Sequence, residues 1–179
     1  MLILGIDPGS RKTGFGVIKV VSRRKIEYVD SGILRYDNIA SFLDRLHLIH
    51  QNIEELIQKY NPDEISVESL VYVKSVTSLA KLAQARGAMI AAMSKTHLGK
   101  VYEYSPNLVK STVSGYGHAN KENMIKAIRM MFGNIDFKSH DESDALAIAI
   151  CHSLLGGQTP KNIVGSGKKR SLKSIAENL

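Results

Sequence analysis

The first 35 residues constrain the fold most, because they hold three strand-like segments with no room for a helix between them. Leu2-Ile3-Leu4-Gly5-Ile6 is a short apolar run that stops on Asp7-Pro8-Gly9-Ser10, a buried strand followed by a turn. Residues 14–20 read as a second strand, and residues 25–34 as a third after the polar turn Ser22-Arg23-Arg24. Strands joined only by turns pair antiparallel, so the chain begins as a β-meander. After that the pattern changes. Phe42, Leu46, Ile49, Ile53, Leu56, Ile57 and Tyr60 recur at helical spacing, which predicts an amphipathic helix over 41–60 stopped by Asn61-Pro62.

Strands and helices then alternate. Residues 65–68 form a short strand ending on Glu68, and residues 73–98 a helix rich in alanine between Ala80 and Ala92. Small residues let another helix approach closely, so this helix is a candidate dimer contact. Residues 101–104 are a fifth strand. Ser105-Pro106 opens a short helix as N-cap and first helical residue, and Gly115-Tyr116-Gly117 breaks it. Helices follow over 121–132 and 139–155. The order β-β-β-α-β-α-β-α-α-α predicts an α/β fold, with a five-stranded mixed sheet, parallel additions to one edge of the meander and helices on both faces.

A chain of 179 residues suits one domain, and it is long enough to bury a core without disulfides or structural metal. No apolar run reaches the roughly 18 residues of a membrane span. The start meets an acid at once, unlike a signal peptide. Cys151, the single cysteine, has no partner for an intramolecular disulfide and lies in an apolar helical context, which suits core packing in a reducing compartment. A cytoplasmic protein is expected. The net charge of +7 favours a polyanionic partner. Much of it sits late: Lys161, Lys168, Lys169, Arg170 and Lys173 against Glu177 give +4 of the +7. With Gly156-Gly157 and Gly165-Ser166-Gly167, this composition divides the chain into a folded domain over 1–156 and a flexible basic tail over 157–179. The tail suits either solubility or an accessory DNA contact.

The acids stand out by position. Asp7 and Glu68 each end an apolar strand, and parallel neighbours would set those ends side by side. Asp141 and Asp144 lie three apart at the start of the last helix and share a face, while Ala145 to Ile150 must pack on the sheet. Each acid alone has a structural reading as a cap, a dipole partner or a turn residue. If all four converge, electrostatics forces a choice. Two carboxylates about 4 Å apart repel by roughly 4 kcal/mol at an effective dielectric of 20, so they must take up protons or bind a cation. Oxygen-only ligands select Mg²⁺, with Mn²⁺ as a substitute, and two such ions activate a water and stabilise a leaving oxygen. Lys110 and Lys121 flank the glycine break, and Lys74 and Lys81 follow Glu68, so all four are candidate phosphate contacts or solvated charges. His140 would serve proton transfer or cap the helix; His118 is a weaker candidate.

Three stretches together resemble the RuvC family of Holliday-junction resolvases. They are Gly5 to Ser10 with Thr13-Gly14-Phe15-Gly16, Glu68 with Leu79 to Gly87 (including Gln84-Ala85-Arg86-Gly87), and Asp141-Glu142-Ser143-Asp144-Ala145 through Ala149. The resemblance covers about residues 1–155 and implies an RNase H-like fold. It implies a Mg²⁺-dependent crossover junction endodeoxyribonuclease, a homodimer that nicks opposing strands of a four-way DNA junction symmetrically, and work with the RuvA–RuvB branch-migration complex. By position, Asp7, Glu68, Asp141 and Asp144 match the family's metal-binding carboxylates, and Lys110 and Lys121 its basic residues near the scissile phosphate. The family often carries Phe three residues after the strand-end Glu, where this chain has Val71 and Tyr72; Tyr72 is the candidate for the junction-inserting role. The alternatives are an RNase H-like nuclease acting on RNA or RNA–DNA hybrid, an actin-like ATPase for which the chain lacks room, and a junction binder without catalysis.

Overall fold

The structure, a computed structural model, describes residues 1–22, 25–70, 75–115 and 121–156. Val71, Tyr72, Lys74, Gly117, His118 and the tail over 157–179, on which several expectations fell, lie outside the described residues. The elements are β1 (Leu2–Asp7), β2 (Lys12–Ser22), β3 (Lys25–Arg35), α1 (Phe42–Tyr60), β4 (Glu64–Glu68), α2 (Val76–Ser94), β5 (Val101–Tyr104), α3 (Pro106–Ser114), α4 (Lys121–Phe132) and α5 (His140–Leu155).

One five-stranded sheet has the order β3-β2-β1-β4-β5. The meander pairs antiparallel, while β4 joins β1 and β5 joins β4 in parallel. Both additions fall on the β1 side, as expected. Strand alternation then decides what covers each face. Leu4 and Ile6 of β1, Phe15 and Val17 of β2 and Ile65 and Val67 of β4 pack in a cluster with Ile49, Ile53, Ala85 and Met89 from α1 and α2. Ile3, Ile18 and Tyr104 point the other way, into a cluster with Val109, Met124, Leu146 and Ile150 from α3, α4 and α5.

Helix ends follow their capping chemistry. The Oγ of Ser41 accepts from the Asp44 amide, and Asn61 closes α1 in the left-handed region at φ 45°. The sequence predicts the second helix over 73–98, but α2 is shorter at both ends. Ser75 caps its start by accepting from the Ser78 amide, and the helix stops at Ser94. Beyond it His97 is buried with its ring bonded to the Pro62 carbonyl at 2.8 Å, which commits the segment to a tertiary contact instead of another helical turn. Ser105 caps α3 with Pro106 in the first turn, as the dipeptide predicts.

Candidate active site

The period of two that buries Leu4 and Ile6 on one face sends Gly5 and Asp7 to the other, where α5 lies. In β4 the same alternation buries Ile65 and Val67 with α1 and α2, so Ser66 and Glu68 take the α5 side. The parallel register sets Ile6 beside Val67, which makes Asp7 and Glu68 adjacent at the ends of neighbouring central strands. Two strand-end acids thus come side by side from backbone geometry alone.

The helix acids arrive through glycine. A Cβ on Gly14 would stand 2.0 Å from the carbonyl oxygen of Asp141, one on Gly5 2.3 Å from that of Ala145, and one on Gly16 2.6 Å from the Cα of Leu146. These glycines therefore form a bare track along β1 and β2 on which α5 lies backbone to backbone. Because Gly14 pairs with Asp7, the contact at Asp141 brings the first turn of α5 over the end of β1. Asp144 lines a cleft of ≈ 380 Å³ with Glu68, Lys110 and Lys121, walled by Val109, Met124 and Ala147. The lysines of α3 and α4 thus face the acids of β4 and α5.

The electrostatics fit this crowding. Burial, followed by the charges of Glu68, Asp144 and Asp141, pushes the Asp7 carboxyl up to about 8 against the pull of Lys121. Burial and then Asp144 raise Glu68 to about 7, opposed by Lys110. Asp144 is raised mainly by burial, with Lys121 the largest opposing influence and Asp141 adding to the rise. Burial leads each shift, and the four acids outnumber Lys110 and Lys121, so the group is costly to hold ionised without a further cation. Among the described residues no three acidic, histidine or cysteine side chains already converge as a closed ligand set. Glu68 and Asp144 line the cleft, and Asp7 and Asp141 lie close enough to act on one another's charge, without a finished chelate. The fit to a hard divalent cation rests instead on an all-oxygen donor set and on this excess charge.

Several neighbours hold the acids in place. Arg86 of α2, from the Gln-Ala-Arg-Gly segment, donates its Nε to the Glu68 carbonyl at 3.2 Å and pairs with Glu103 at 2.8 Å. Glu142, between the two helix aspartates, does not face the cleft. It is buried, accepts from Ser31 Oγ at 2.8 Å and from the Lys138 amide at 2.9 Å, and so ties the head of α5 to β3. In the sequence nothing separates Glu142 from the aspartates on either side of it. His140 is exposed and is the first residue of α5, the cap position being Ser139. Its nearness lowers Asp144 somewhat. Lys81 does not line the acid cleft; it lies in a separate pocket with Arg11 and Arg45. Cys151 is fully buried, as expected of a core residue.

A mixed sheet in this order, with acids ending its two central strands and heading the helix across them, is the layout of an RNase H-like nuclease. The comparisons agree and narrow it. The family model for "Crossover junction endodeoxyribonuclease RuvC" matches residues 3–152, and the chain belongs to that family. Proteins of that name from Geobacter metallireducens and Legionella pneumophila are each 42% identical, covering 93% and 94% of this chain and 99% and 96% of their own. The structure of Thermus thermophilus RuvC in complex with Holliday junction substrate superposes with a TM-score of 0.79 at 28% identity, over 87% of this chain and 94% of that one. The yeast mitochondrial Holliday junction resolvase shares the fold with a TM-score of 0.62 at 16% identity, over 85% of this chain and 77% of that one. The matching family and the bacterial relatives carry the name of a junction endonuclease, which does not favour the reading as an RNA or hybrid nuclease.

Proposed function

We propose that this RuvC-family endonuclease resolves four-way DNA junctions by Mg²⁺-assisted hydrolysis, with Asp7, Glu68, Asp141 and Asp144 as metal-holding carboxylates. The observation that carries the reading is the pair of adjacent strand-end acids, Asp7 raised to about 8 and Glu68 to about 7, beside the cleft that Glu68 lines with Asp144, Lys110 and Lys121. Carboxylates held this way bind a divalent cation in exchange for protons. When bound, Mg²⁺ supplies the positive charge against which a water ionises and a leaving oxygen departs. The chain's own residues do the rest. Lys110 and Lys121 hold the non-bridging oxygens of the scissile phosphate, and Arg86 keeps the Glu68 backbone in place beneath it. His140, exposed beside Asp141, is available to take a proton from the cleft.

Family membership supports the remaining proposals: a homodimer making paired symmetric nicks, two metal ions per site, and work beside the RuvA–RuvB branch-migration complex. The dimer face is the exposed side of α2, where Ala80, Ala83, Gly87 and Ala91 recur at three- and four-residue steps. Nothing lies within 4 Å of a Cβ built on Gly87. A DNA substrate and a single buried cysteine support a cytoplasmic location, and among the described residues no helix is long and apolar enough to cross a membrane. Residues 1–156 form the nuclease domain, and the basic tail over 157–179 is an accessory DNA contact. The test is cleavage of a mobile and an immobile four-way junction, a duplex and an RNA–DNA hybrid with and without Mg²⁺, with ends mapped. Junction-selective, Mg²⁺-dependent nicks at symmetric positions are expected; equal cutting of duplex or hybrid would overturn the reading.

A further inference from the structure

A second pocket, of ≈ 280 Å³, opens beside the turn that follows Asp7. It is lined by Ser10 and Arg11 from that turn, Phe42 and Arg45 from the first turn of α1, and Ser78 and Lys81 from the start of α2. Three of these residues are cations and no carboxylate lines the pocket. Asp44, the acid of the same α1 turn, is exposed and stays outside it. Arg45 is only 9% exposed, yet its guanidinium has no ion pair among the described residues. Nη1 donates to the Ser10 carbonyl at 3.2 Å and Nη2 to the Ile39 carbonyl at 2.8 Å, while the buried Nε has no hydrogen-bond partner.

A buried, always-charged guanidinium whose hydrogen-bond partners are carbonyls alone is costly unless an anion completes it. Phe42 gathers the charge further. Its ring carries the Arg45 guanidinium at 5.9 Å and the Lys81 ammonium at 5.8 Å, which draws two like charges to one spot. The first turns of α1 and α2 both border the pocket, so two helix N-termini add to the positive potential. Ser10 and Arg11 belong to the same turn as Asp7-Pro8, so an anion here sits next to the strand end that carries the first acid.

We propose that this pocket seats one backbone phosphodiester of the junction DNA, flanking the scissile phosphate, with Arg11 and Lys81 contacting its oxygens and Arg45 fixing the floor. The inference rests on the junction-cutting reading above and adds to it a specific positioning contact outside the acid cleft. Such a contact fixes the register of the strand across the carboxylates, which is what phosphate contacts do in nucleic-acid recognition.

The test is metal-free binding of the full chain to a four-way junction carrying a single uncharged methylphosphonate, walked through the positions around the crossover. For the unaltered protein, one position besides the scissile one should weaken binding about fivefold to tenfold. In Lys81→Ala and in Arg11→Ala that penalty should shrink below about twofold while penalties elsewhere stay, and the salt slope should fall by about 0.9. Lys100→Ala removes the same charge from an exposed site outside the pocket and should leave the walked profile unchanged. Arg45→Lys, with its melting temperature checked first, should also flatten that position. An unaltered profile in Lys81→Ala and Arg11→Ala overturns the pocket. So does competition by inorganic phosphate at Lys81 with no sensitive backbone position, which would mean a small-anion site. If the unaltered protein neither prefers nor cuts the junction, the functional reading itself fails, a result distinguishable from an intact resolvase with a flat profile.

Discussion

Asp7 and Glu68 differ from ordinary surface acids in that folding makes them harder to ionise. Their carboxyls rise from 3.8 to about 8 and from 4.5 to about 7. An acid whose folded pKa is raised binds more protons in the native state than in the unfolded one, so stability falls as pH rises. The metal-free protein should therefore lose stability progressively between about pH 4 and pH 8, where both groups are forced to ionise. Mg²⁺ should raise the melting temperature more at pH 8 than at pH 5; an equal rise at both would mean the cation binds elsewhere. Asp7→Asn should raise the metal-free melting temperature at pH 8, since it removes one of the crowded charges. Melting curves across this range check both statements. The acids were readable in the sequence because each closes an apolar run, and alternation fixes their face once the covering helix is known. Glu142 was not. It lies among the same acids, but one residue along a helix turns a side chain by about 100°, enough to point it at Ser31 instead of the cleft.

At the scale of elements, the closeness of α5 to the sheet places the helix acids. Gly14 faces the Asp141 carbonyl so tightly that any side chain must push the helix away. Gly14→Ala should cost about 1–3 kcal/mol of stability by overpacking and on the order of 10²-fold in cleavage rate through displacement of Asp141. Junction binding without metal should change far less; an unchanged cleavage rate would show that α5 need not sit this close. The element order, the meander and the parallel additions were legible because strand period, helix period and turn residues agree over each segment. The glycine track was not, since Gly5, Gly14 and Gly16 acquire a meaning only when β1, β2 and α5 are superposed. The excess length assigned to the second helix has a similar cause: residues 95–98 suit a helix, but His97 is taken by the Pro62 carbonyl.

For the whole molecule, paired nicking needs two active sites held together, and the exposed small-residue face of α2 is the proposed contact. Ala83→Glu or Gly87→Glu should yield a monomer by light scattering, with single nicks replacing paired ones; an intact dimer would move the interface elsewhere. The proposed function also divides positive charge by role. Lys110→Ala or Lys121→Ala, at the acid cleft, should reduce cleavage more than Lys168→Ala or Lys169→Ala in the tail. Equal losses at all four would reduce the cleft lysines to general attraction for DNA. The measurement that bears most directly on the account is Mg²⁺-dependent cleavage of a four-way junction by Asp7→Asn beside the unaltered protein, with binding followed in the absence of metal. The variant should bind the junction nearly as well and leave it uncut, and a variant that still cuts it with Mg²⁺ would contradict the carboxylate site.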